Sequence, residues 1–230
     1  SPGVDFMMER EADRDLHSCR IIPERGSWIE LHVTKKDSLN VRIDQSGKFS
    51  ALTLLRAMDP LYSTNADILK AFYPVESVKT KGGGERLKGA IVAEDVIDPE
   101  DGEIYLEAGQ AIDDAKLNQI LASSVKTVEV LAAIKDPIIL AAMAEDTAAT
   151  HEEALLKIYQ KIRPGNPAQL EKAKEMFREK FQDTNRYRLG RVGRFRLNRK
   201  FNLKDTVSAD EMALQPADFL NAIKYILKLR

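Results

Sequence analysis

Few side chains in these 230 residues sit at spacings that support covalent chemistry. His17 and Cys19, the latter the only cysteine, could pair as base and nucleophile. They stand two apart in a polar segment, with no third group to orient the base. The three histidines, His17, His32 and His151, show no i, i+4 pairing of the kind that grips a metal. Asp98-Pro99-Glu100-Asp101-Gly102 is acidic but lacks the alternating ligands of an EF-hand, so it reads as an exposed turn. Gly82-Gly83-Gly84 is followed by no Lys-Ser or Lys-Thr that would make it a phosphate cradle, and reads as linker. No set of aspartates suits a two-magnesium phosphoryl-transfer site. These residues predict a chain that performs no chemistry by itself, which leaves binding.

Two stretches suit binding. Arg186 to Lys204 (RYRLGRVGRFRLNRKFNLK) holds eight Lys or Arg and no acid, in a chain whose formal net charge is −1. Such a footprint fits a phosphate backbone, an acidic protein neighbour or a solvated helix face. Within it Arg188, Arg191 and Arg194 recur every third residue, with Leu189, Val192 and Phe195 one step on. That rhythm predicts helical turns that bury the apolar row and present the guanidiniums on another face. Arginine predominates over lysine, which favours bidentate phosphate contact. The second stretch is Pro23-Glu24-Arg25-Gly26-Ser27-Trp28, a turn ending on the only tryptophan and presenting Arg20 and Arg25. Trp28 is either a core residue or an indole projecting from the turn to stack on an unpaired base. Arg163, before Pro164-Gly165, is a further cation on a stiff turn.

The elements that must position these groups read as α+β. Ile29–Val33 and Leu39–Ile43 alternate with period two around a polar turn, which predicts an antiparallel hairpin. Met7 to Leu16 shows no apolar stripe and reads as a loop. Ser50 caps a helix carrying Leu52, Leu54, Leu55 and Met58 that Asp59-Pro60 ends, and a second helix stops at Pro74. Lys79 to Lys88, with its three glycines, reads as a hinge into an inserted unit running to about Leu131. Ile138 to Met143 has no assignment. Thr150 to Glu153 forms a capping box, Asn166-Pro167 opens a further helix, and an amphipathic helix from Pro216 closes the chain.

Composition agrees with this outline. At 43% hydrophobic and 31% charged, the chain can build one large core or two small ones. No apolar run approaches the roughly 18 residues of a membrane span, and a single cysteine fits a reducing cytoplasm. The chain opens on Ser1-Pro2-Gly3-Val4 without an initiator methionine and closes on Lys228-Leu229-Arg230. Both ends look like cuts in something larger.

Several ordered motifs carry a resemblance. Ser1-Pro2-Gly3-Val4, Arg20-Ile21-Ile22-Pro23, Arg25-Gly26-Ser27-Trp28 and Val41-Arg42-Ile43-Asp44 come first. Ile162-Arg163-Pro164-Gly165, Arg186-Tyr187 and Val192 to Arg199 (VGRFRLNR) follow. In this order they resemble the bacterial RNA polymerase beta-subunit family, and specifically its lobe. The resemblance implies an α+β lobe of antiparallel strands and helices over 1–80 and 132–230. It also implies a small sandwich-barrel hybrid module inserted at 85–131. The implied role is a wall of the DNA cleft, against downstream duplex and the nontemplate strand, in a cytoplasmic, nucleoid-associated nucleotidyltransferase.

In that reading Trp28 stacks on a nontemplate base, and Arg25, Arg163, Arg186 and Arg194 supply cations to nucleic acid. The segment itself holds no cofactor, since the magnesium of the parent enzyme is bound by another subunit. Its partners are DNA, the beta-prime, alpha and omega subunits and sigma factor, with no membrane. Gln45-Ser46-Gly47 departs from the arginines that many members carry after Val-Arg-Ile-Asp, which removes an implied phosphate contact. The alternative kept open is a protein-interaction scaffold whose basic stretch docks an acidic partner. A free-standing enzyme using His17 and Cys19 is the third reading.

Overall fold

The computed structural model describes residues 1–230, and the fold is α+β. The chain divides into two compact units, Ser1–Ser63 with Ala144–Arg230, and Thr64–Met143. The first unit begins with a five-stranded antiparallel sheet in sequence order: β1 (Gly3–Glu11), β2 (Arg14–Ile22), β3 (Ile29–Val33), β4 (Leu39–Ile43) and the short β5 (Phe49–Ser50). The β3–β4 hairpin forms as expected, with Ile29 opposite Ile43 and Val33 opposite Leu39. Its inward residues Ile29, Leu31, Val33, Leu39, Val41 and Ile43 are all buried.

The loop expected over Met7–Leu16 is instead the outer half of the β1–β2 hairpin, reversed at Ala12 with φ 55°. Alternation fails there because the distal ends of both strands are exposed on both faces, so no side chain must be apolar. Helix α1 (Ala51–Met58) lies buried along its whole length. The Ser50 hydroxyl accepts from the Leu52 N–H at 3.3 Å, and the helix ends at Asp59, before Pro60.

The second unit runs in order through α2 (Asn65–Phe72), β6 (Val75–Lys79), α3 (Gly84–Leu87), β7 (Val96–Ile97), β8 (Ile104–Leu106), α4 (Asp114–Leu121) and β9 (Thr127–Leu131). The apolar run without an assignment becomes α5 (Ile138–Glu145). Strands β6 and β9 pair antiparallel from Val75–Leu131 to Lys79–Thr127. The glycine-rich stretch is not the bare linker expected. It folds into α3, buries Leu87 completely, and needs Gly83 because a Cβ there would lie 2.1 Å from the Lys79 carbonyl oxygen. Leu87 joins Val92, Val96, Ile112, Ile120, Val128 and Val130 in one apolar core.

The chain then completes the first unit with α6 (His151–Ile162), α7 (Leu170–Phe181), α8 (Gly190–Phe201) and α9 (Pro216–Leu229). Thr150 accepts from the Glu153 N–H at 3.2 Å, while the Glu153 carboxylate reaches back to the Ala149 N–H at 2.8 Å. Helix α7 starts at Leu170, not at Asn166-Pro167. No helix is long and apolar enough to cross a membrane.

Candidate nucleic-acid interface

The turn between β2 and β3 is held from two sides. Its backbone pairs with the segment before α8: the Arg25 N–H donates to the Arg188 carbonyl at 3.1 Å, and Arg188 returns a bond to the Arg25 carbonyl at 2.8 Å. Gly26, at φ 117°, lies so close to that segment that a Cβ would sit 2.9 Å from the Arg186 carbonyl oxygen. This is the physical reason for glycine in Arg25-Gly26-Ser27-Trp28. On the other side the Trp28 N–H donates to the Asp44 carboxylate at 3.1 Å, and the Asp44 N–H donates to the Trp28 carbonyl at 2.9 Å. Asp44 itself takes the left-handed conformation at φ 55°. The indole is 42% exposed, so Trp28 projects from its turn and is no core residue. Arg25 is also exposed on this turn. Arg20 is not part of it: it stands within β2, paired across the sheet with Asp5 and Glu30.

Arg163 is the C-cap residue of α6 and is exposed. Arg186 follows α7, where it donates to Glu179 at 3.0 Å and lies 4.0 Å from Asp183, so its charge is partly met within the chain. Arg163 and Arg186 line one concavity of about 210 Å³ together with Ser27, Met176, Glu179 and Lys180. Lys180 is a cation that reading the sequence missed. It lies 3.6 Å from Asp44, the same carboxylate that fixes Trp28, and nothing in the spacing of an ordinary helix reveals that. A larger hollow of about 640 Å³ along α7 sets Arg163 and Lys172 beside Glu171, Glu175 and Glu179, whereas Glu179 is the one acid lining the concavity that holds Arg163, Lys180 and Arg186.

Arg194 is a correction. Its side chain is 0% exposed and its guanidinium is saturated from within. The Asp218 carboxylate accepts two bonds at 2.6 and 2.9 Å, the Glu211 carbonyl one at 2.6 Å, and the Ala213 carbonyl one at 2.8 Å. No phosphate reaches a guanidinium in that setting. The expected helix face is inverted: Leu189 is buried, but Val192 is 53% and Phe195 62% exposed. The reason is packing. Gly193 turns inward against Pro2, where a Cβ would lie 3.2 Å from the proline Cβ, and Arg194 follows it toward α9. Burial pushes the Asp218 carboxyl up, against the pull of Arg194 and of the Gln215 N–H.

Cys19 is buried between Phe6 and Leu31 on neighbouring strands, and burial pushes its thiol far up, so it supplies no thiolate nucleophile.

Comparison with known proteins places the chain. Residues 121–230 match the family model for RNA polymerase Rpb2, domain 2. The whole chain is 54% identical to a DNA-directed RNA polymerase subunit beta from Rhodopirellula baltica, and 35% identical to those of Chlamydia muridarum and Chlamydia trachomatis serovar L2. The chain belongs to the bacterial RNA polymerase beta-subunit family. It spans 19% of the length of these curated relatives.

Within this beta-subunit segment the ordered motifs acquire physical roles. Arg25-Gly26-Ser27-Trp28 is a turn whose glycine permits close backbone approach and whose tryptophan is left outside. Asp44 of Val41-Arg42-Ile43-Asp44 clamps that turn. Arg194 and Asn198 of the α8 motif are internal braces, Asn198 donating to the Val207 carbonyl at 3.0 Å.

Proposed function

We propose that this segment is a non-catalytic wall of the DNA cleft of an RNA polymerase, contacting the nontemplate strand and downstream DNA. Trp28 serves as the stacking platform for an unpaired base, and Arg163 and Arg25 meet phosphates. Arg186 assists once it exchanges Glu179 for a phosphate, and Arg194 has no direct part. The nucleotidyl transfer and its magnesium then belong to other parts of the enzyme, with beta-prime, alpha, omega and sigma as partners. Residues 85–131 are read as a sandwich-barrel hybrid module inserted into a lobe of 1–80 and 132–230, a reading supported by the apolar core that runs from Leu87 to Val130.

The observation that carries the proposal is the half-exposed indole, clamped by Asp44 and directly following Ser27, which lines the concavity that holds Arg163 and Arg186. An aromatic face beside cations is what a single strand requires, and stacking contributes about 1–3 kcal/mol per base. The acidic-partner scaffold is the weaker reading, since a docking surface for an acidic protein does not call for an indole at this place.

Trp28 is the only tryptophan, so its fluorescence reports on the site directly. Titration with single-stranded oligonucleotide is expected to quench it, with affinity falling as salt rises. Trp28→Ala is expected to weaken binding roughly five- to 150-fold while the fold stays intact. Unchanged affinity in the variant, or no salt dependence, overturns the assignment.

A further inference from the structure

Helix α8 has two exposed stripes that differ in one respect. Along the first, the chain's own groups occupy the cations: Arg196 donates to the Pro2 carbonyl at 3.1 Å, and the Lys200 ammonium lies 4.7 Å from the Tyr225 ring centroid and 5.4 Å from that of Phe6. Along the second stand Arg191, Phe195 and Arg199, four residues apart and therefore about 6 Å of helix rise from one to the next. All three are exposed, and neither arginine enters an ion pair or hydrogen bond. Phe195, at 62%, is more exposed than Trp28.

The second stripe borders a groove of about 530 Å³ whose far wall is the loop after the helix. That wall is fixed. Asn202 ends the helix in the left-handed conformation at φ 54°, the Leu203 N–H donates to the Asn198 carbonyl at 2.8 Å, and the Asn198 amide holds Val207. Lys204 therefore faces the same groove as Arg199, and Asp210 is the only acid lining it.

We propose that this groove is a second binding site for an unpaired nucleic-acid strand, separate from the Trp28 surface. Phe195 stacks on a base, and Arg191, Arg199 and Lys204 take the phosphates on either side. Charge decides the class of occupant, with three uncommitted cations facing one carboxylate. The aromatic between two guanidiniums decides for single strand, because a duplex keeps its base faces covered and has nothing to lay on Phe195. Neither wall of the groove depends on Trp28, Arg163 or Arg186, so this site stands or falls apart from the function proposed above.

The test uses fluorescence anisotropy of labelled oligothymidylate and oligouridylate with the 230-residue chain, in a Trp28→Ala background that removes the first site. Phe195→Ala is expected to weaken the remaining binding by at least about fivefold, with Phe195→Tyr restoring it and Phe195→Leu not. Arg199→Ala is expected to lower the salt slope by about one counterion. Equal response to the two oligonucleotides fits stacking on any base, and a difference between them shows which strand chemistry the groove prefers; either agrees with the site.

Unchanged binding in Phe195→Ala, or rescue by leucine as well as by tyrosine, overturns the proposal. So does an acidic peptide that binds at this groove where both oligonucleotides fail. A loss with Trp28→Ala in the native background but none with Phe195→Ala leaves the cleft-wall reading standing and removes only this one.

Discussion

The two units of this chain solve burial differently. Thr64–Met143 carries 14 acidic and eight basic side chains, whereas the first unit carries 22 and 27, so net charges of −6 and +5 combine to the near-neutral total. The second unit keeps its basic side chains outside and buries a single carboxylate, Asp98, which accepts a bond from the Tyr105 hydroxyl. Lys70–Glu94, Arg86–Glu76 and Lys88–Asp114 are surface pairs over a core of Leu, Val and Ile. The first unit takes two arginines inside. Arg56 meets Asp146 at 3.0 Å and Arg194 meets Asp218, and each also binds carbonyl oxygens of irregular segments, Ser63 for Arg56 and Glu211 and Ala213 for Arg194. A guanidinium with five donors can hold loop backbone that no helix or strand would satisfy. The lesson is that a basic stretch is not one kind of surface. Some of its charge fastens the chain to itself, and only the remainder is available to a partner.

This contrast can be broken or sharpened by experiment. The largest effect is expected from Asp218→Ala, which leaves Arg194 buried without its carboxylate. Loss of about 3–5 kcal/mol in the first unit is expected, measured by hydrogen exchange of its amides. Replacing Arg194 and Asp218 together by apolar residues of similar volume is expected to recover most of that loss. If the single and double variants are equally damaging, the pair is not the brace described here. In the second unit Leu87→Ala is expected to remove about 3 kcal/mol through a cavity in an uncharged core, with protection lost in residues 64–143.

The smallest effect concerns acid. The Asp98 carboxylate accepts the Glu100 N–H at 2.8 Å and the Tyr105 hydroxyl at 2.7 Å, which hold it below the ordinary value of 3.8. A folded-state value below the unfolded one gives stability that is complete above pH 3.8 and is lost as pH falls through the folded value. Thermal melts of Asp98→Asn are expected to be flatter over that acid range than those of the native chain. An unchanged pH profile would show that the turn does not depend on the ionised carboxylate.

Much of the scaffold was open to a reader of the sequence. Period-two alternation located β3 and β4, because one face of each strand is buried and the other is not. Ser50 and Thr150 announced helix starts through the hydroxyl that a bare N-terminus requires. The β1–β2 hairpin escaped because its distal half buries nothing. Trp28 could be read as core or surface, and only its exposure in the folded chain settles the choice.

By itself, the sequence determined that charge is concentrated at 186–204, that helices and antiparallel strands must share the chain, and that a lone indole follows a glycine turn. Local patterning suffices for these, since each depends on neighbours within a turn or a strand. Only the tertiary structure decided which cations face outward. Arg194 is turned in by Asp218, 24 residues further along, and by the close fit of Gly193 against Pro2 from the far end of the chain. Phe195 is turned out by the same rotation of the helix. Orientation of that kind is set by contacts distant in sequence, and no periodicity within α8 could contain it.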